Sequence, residues 1–147
     1  MTLTDALLGE HGVFYAQFAH LERTLPEVED LGQVQVQGAM LASALASHAR
    51  LENELLFDAL VPHIGAEGGP VAVMRAEHDQ IEGGLSRLPG LADQEEARNL
   101  LLEVLRVARD HFAKEEQILY PMAQRALGRE GLTQLGSQWA QSRAVTV

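Results

Sequence analysis

The sequence predicts an all-α protein, an antiparallel up-down-up-down four-helix bundle with a short C-terminal helix. Three observations carry this expectation. Apolar residues recur at alternating three- and four-residue spacings through four long segments. No segment alternates as a strand would over a useful length. Proline and glycine punctuate the joins.

The first segment, about Leu3 to Leu25, places Leu7, His11, Phe14, Phe18, Leu21 and Leu25 on one face. Leu25-Pro26 should stop it, because the residue before proline avoids helical angles. The second, about Val34 to Val61, turns Met40, Leu41, Ala44, Leu45, His48, Leu51, Leu55 and Leu56 inward, and Pro62 with Gly65 to Pro70 reads as a loop. The third, about Val71 to Leu88, carries Met74, His78, Ile81, Leu85 and Leu88, and ends at Pro89-Gly90. The fourth, about Gln94 to Leu127, carries Leu101, Val104, Ala108, His111, Ile118 and Met122. Gly128 and Gly131 mark its end, and Leu132 to Gln141 forms a short helix packed through Leu135 and Trp139. Residues 1–131 are thus expected to form the bundle and residues 132–147 a short helix and tail. Four amphipathic helices with short connections are the pattern of such a bundle.

At 147 residues the chain suits one domain with a real core. A formal net charge of −10 opposes phosphate backbones and anionic lipid surfaces, so neither nucleic acid nor membrane is expected as a partner. There is no run of apolar residues long enough to cross a membrane and no basic-then-apolar leader at Met1-Thr2-Leu3, so the cytoplasm is the expected location. With no cysteine, any transition metal must be bound by nitrogen and oxygen donors.

The chemistry sits in the inward stripes. Four residues along an α-helix advance ~6 Å and end only ~40° from the starting direction. His48 and Glu52 therefore face the same way, as do His111 and Glu115, and His11 and His78 centre the stripes of the other two helices. A weak internal repeat relates the HxxxE stretch from His48 to that from His111, and Glu10-His11 to Glu77-His78, suggesting a pseudo-twofold site. Two carboxylates buried among apolar side chains need compensation, and no lysine or arginine shares those faces. Metal cations would supply it. Two metals fit the count, with two histidines each and both glutamates bridging. His20 lies half a turn from His11 and is expected in solvent, as is His63 in its loop. Tyr15 and Glu82, each four residues after an inward histidine, are expected as a core tyrosine and a helix-end acid.

Other sites fit poorly. The Glu-x-x-His pair of ferritin-type bundles, HExxH and phosphate-binding glycine loops are all missing.

The order His, HxxxE, His, HxxxE, with an HxxxEExxLYP stretch at residues 111–121 and Glu77-His78-Asp79 on the third helix, resembles the hemerythrin-like (HHE) cation-binding domain family over about residues 3–127. The resemblance implies a non-heme pair of irons, oxo- or hydroxo-bridged; the nitrogen and oxygen donors would also accept manganese or zinc. His11, His48, His78 and His111 would be terminal ligands, and Glu52 and Glu115 bridging carboxylates. It further implies a small oxygen- or nitrogen-derived ligand: dioxygen, nitric oxide or peroxide, bound or sensed. Oxygen-carrying members have a fifth histidine in an HxxxH pair on the third helix. Here Met74 and Glu82 flank His78 at that spacing, so the chain is similar to the four-histidine, two-glutamate branch. Two other readings stay open: an iron donor, store or peroxide-consuming enzyme built on the same site, and a metal-free helical interaction module.

Overall fold

The structure is a computed structural model that describes residues 1–146; Val147, part of the expected tail, lies outside the described residues. Helices α1 (Leu3–Thr24), α2 (Leu31–Leu51), α3 (Asp58–Ile64), α4 (Pro70–Arg87), α5 (Gln94–Lys114) and α6 (Tyr120–Arg143) follow in order. Between α2 and α3 the chain stays helical through one wide π segment, Glu52–Phe57, and α5 passes into α6 through another, Glu115–Leu119. The six helices thus make four rods joined by short connections, an all-helical four-helix bundle with no strand among the described residues. No helix among those residues is long and apolar enough to cross a membrane.

Local chemistry sets the rod ends. Thr2 and Asp5 form a reciprocal capping box on α1. The Asp30 carboxylate caps α2 and Asp93 caps α5, satisfying backbone N–H groups that have no partner within the helix. α4 starts at Pro70, whose missing N–H is harmless in a first turn.

Three expectations change. Met40 and Ile118 were placed inward, yet they are 70% and 54% exposed. For Ile118 the cause is the π segment, which inserts an extra residue per turn and rotates everything after it. Leu119, Tyr120 and Ala123 are buried instead. Pro121, two residues after the segment ends, has no N–H to close an ordinary turn. Pro62 does not end its helix; it sits inside α3, which runs on to Ile64 and carries the exposed His63. Its fixed φ suits a helix, and the helix ends two residues later.

α6 bends at Gly128, whose φ of 66° is open to glycine, and continues to Arg143. After the bend it packs along α1. A side chain at Gly136 would lie 2.5 Å from the Met1 carbonyl oxygen, so only glycine allows this approach.

The core divides in two. One cluster, around Phe18, Leu101, Leu105 and Phe112, fills the end nearest the α1–α2 connection. The other, around Leu3, Leu56, Phe57, Leu60 and Leu132, fills the opposite end. A buried polar band separates them.

Candidate metal centre

That band consists of His11, His48, Glu52, His78, His111 and Glu115, all 5% exposed or less. The structure brings all six residues named from the sequence together. They form two overlapping sets of four, His11, His48, Glu52 and Glu115, and Glu52, His78, His111 and Glu115. In each set the donor atoms lie within 4.8 Å of one another. Both glutamates belong to both sets and turn one oxygen to each side. Glu52 Oε1 is 3.3 Å from His48 Nε2, and Oε2 is 3.3 Å from His78 Nε2. Glu115 Oε2 is 3.4 Å from His11 Nε2, and Oε1 is 3.4 Å from His111 Nε2. Each of these two glutamates is also the first residue of a π segment.

The donors fit metal cations. Glu52 Oε2, both oxygens of Glu115, both ring nitrogens of His78 and Nε2 of His111 are buried without a hydrogen-bond partner. Native interiors seldom leave such atoms unsatisfied, and all of them except His78 Nδ1 face one another across the band. An uncompensated buried carboxylate costs on the order of several kcal/mol. Oxygen and imidazole donors without thiolate suit iron, manganese or zinc.

Three further glutamates, present in the internal repeat and the HxxxEExxLYP stretch but not expected as ligands, hold three of the imidazoles from behind. His48 Nδ1 meets Glu10 Oε2 at 2.6 Å, His111 Nδ1 meets Glu77 Oε2 at 2.9 Å, and His11 Nδ1 meets Glu116 Oε1 at 2.8 Å. Such carboxylates keep the proton on Nδ1 and point Nε2 at the site. Glu10 and Glu77 each precede an inward histidine in sequence but grip the histidine of the neighbouring rod. Their adjacency to the motif was the available signal. Tyr15 donates to Glu116 at 3.0 Å and so joins this outer ring, whereas Glu82 is exposed and outside both sets. His20 and His63 are exposed, as expected.

The electrostatics follow from burial among carboxylates. Burial would push the His11 imidazole down, but Glu115 and Glu52 outweigh it and raise the group to about 9. His48 is raised to about 10, Glu52 and Glu10 again overcoming burial. Burial would raise Glu10, yet His48 and Arg143 hold it at about 2. Burial and the charges of Glu52 and Glu115 push the Tyr120 phenol well above its usual value.

Aromatic rings wall the band. Phe112 stacks on His11 at 3.9 Å between centroids, Phe57 on His78 at 5.4 Å, and Phe14 stands edge-on to His48. Ile81 lines a narrow crevice that touches His48, His78 and His111, whereas Met74 belongs to the far core cluster.

Fold and site together define a helical-bundle metal-binding protein with histidine and carboxylate donors. The chain belongs to the hemerythrin HHE cation-binding domain family, whose model matches residues 2–123. No curated protein and no solved structure shows a match to the chain.

Proposed function

We propose that this chain is a non-heme di-iron protein that binds or senses a small ligand such as dioxygen, nitric oxide or peroxide. The observation that carries the reading is the pair of four-residue donor sets sharing Glu52 and Glu115. His11 and His48 serve one metal position and His78 and His111 the other, with the two glutamates bridging. Irons held there would supply one-electron redox chemistry toward small oxygen- or nitrogen-derived ligands.

The protein's own residues set the conditions. Glu10, Glu77 and Glu116 fix imidazole orientation and make the ring nitrogens better donors. The Tyr120 hydroxyl donates to Glu52 Oε1 at 3.0 Å and steadies one bridging oxygen. Phe14, Phe57 and Phe112 keep bulk water from the band. A crevice between Leu45 and Ala49 of α2 and Ile81 of α4 reaches His48, His78 and His111, wide enough only for a very small ligand.

The test is metal content per chain and a visible spectrum after anaerobic loading with ferrous iron and exposure to air. About two irons per chain with ligand-to-metal charge-transfer bands support the reading. His48→Ala and His111→Ala should each drop the content to one iron or fewer. Metal uptake that ignores both substitutions returns the chain to a metal-free interaction module.

A further inference from the structure

The outer carboxylate on His48 is itself held, and by a part of the chain beyond the family match. Trp139 Nε1 donates to Glu10 Oε1 at 2.9 Å, and Arg143 Nε donates to the same oxygen at 2.8 Å. Arg143 Nη2 donates to Glu10 Oε2 at 3.1 Å, the oxygen that also meets His48 Nδ1. The same guanidinium reaches across to Ser47, the residue before His48, through Nη1 to Oγ at 2.5 Å. Trp139 and Arg143 both lie after residue 123, where the family match ends. Among the described residues the corresponding carboxylate on the other half of the site, Glu77, has besides His111 only Lys114 of the adjoining rod as a partner. Every lone pair of Glu10 is therefore committed, three of the four donors coming from the last two turns of α6.

We infer that Arg143 and Trp139 are positioning residues of the metal centre, which hold Glu10 against His48 and so couple the C-terminal part of α6 to one of the two metal positions. The inference rests on the two-metal reading above. A planar guanidinium fixes a carboxylate in two dimensions as an ammonium cannot. Without it Glu10 can rotate away from His48, and loss of such an outer partner typically weakens metal binding about 10- to 100-fold. Coupling is reciprocal, so filling the His11–His48 position tightens the docking of α6 in the same proportion.

The experiment is an anaerobic titration of the full chain with cobalt(II) against a competing chelator. In Arg143→Gln one of two cobalt ions should bind about 10- to 100-fold more weakly while the other keeps its affinity. Arg143→Lys should recover part of the loss, and Gln138→Ala, an exposed change on the same helix, should leave both unchanged. Trp139→Phe removes a single donor within a similar shape and should weaken the same ion several-fold; it carries the test if Arg143→Gln does not fold. Unchanged affinities, or an equal loss at both ions, overturn the inference. A wild-type chain that takes up no cobalt takes down the two-metal reading as well; two ions in the wild type that bind with unchanged affinity in the variants sink this inference alone.

Discussion

The Tyr120 hydroxyl donates to Glu52 Oε1 across 3.0 Å and lies 3.2 Å from His11 Nε2, which puts a neutral donor between a buried carboxylate and an imidazole. No other buried hydroxyl touches the band among the hydrogen bonds described. Tyr120→Phe keeps the ring and removes that donor. Hydrogen bonds to charged groups contribute about 1.5–3 kcal/mol, so chelator-treated Tyr120→Phe should lose about 2 kcal/mol in urea unfolding. It should still take up two metals, since both sets of four donors remain. Loss of metal uptake would make the phenol a ligand rather than a support.

The two halves of the site are not equivalent. Glu116 follows Glu115 and holds His11, while Asn53 follows Glu52 at the matching place and holds nothing. Asn53 Oδ1 and His78 Nδ1 are both buried without partners. His78 therefore lacks the carboxylate that the other three imidazoles have. Metal on the His78–His111 side should leave to a chelator at least about tenfold faster than its neighbour, giving a two-phase release. Asn53→Glu should narrow the gap, and single-phase release in the wild type would refute the asymmetry.

Stability of the chelator-treated protein should depend on pH in a defined direction. His11 and His48 are raised from 6.5 to about 9 and about 10 by their carboxylate neighbours. A raised imidazole stabilises the fold fully below 6.5 and loses that contribution as pH climbs through its folded value. Glu52 is held below its usual 4.5, His48 and His11 overcoming burial, so its contribution stands above 4.5 and fades in acid. The urea midpoint should be highest between about pH 4.5 and 6.5 and fall toward pH 10. Metal loading should flatten the alkaline side. An alkaline midpoint above the one at pH 6 would contradict the carboxylate–imidazole pairing.

Gly136→Ala tests the seat of the C-terminal part of α6. The new methyl would meet the Met1 carbonyl oxygen at 2.5 Å, Thr2 C at 3.0 Å and Leu3 N at 3.1 Å, all backbone atoms pinned by the Thr2–Asp5 cap. Overpacking of this kind costs about 1–3 kcal/mol. Thermal unfolding should shift down, and hydrogen exchange should rise in residues 129–143 before the rest of the bundle. Protection unchanged there would mean that the backbone gives way cheaply.

Much of this was readable without coordinates. Helical period alone placed His11, His48, His78 and His111 on inward faces and set Glu52 and Glu115 beside them, because side-chain direction within one helix is fixed by residue spacing. Two kinds of feature escaped. Each π segment adds a residue per turn without any break in apolar pattern, and so Ile118 was assigned the place that Leu119 and Tyr120 occupy. Hydrogen bonds between rods escaped too, since Glu10 looks like a partner of His11 and in fact serves His48.

The sequence by itself determined the fold class, the family and the six inward histidines and glutamates of the band, all of which depend on spacing along a rod and on residue chemistry. The tertiary structure decided which histidines share a half of the site, which carboxylate stands behind each, and that Arg143, 133 residues from Glu10, closes that chain of contacts. Those are relations between rods, set by how the rods turn and slide when two apolar clusters pack around a polar band. No periodicity within a single helix encodes that packing.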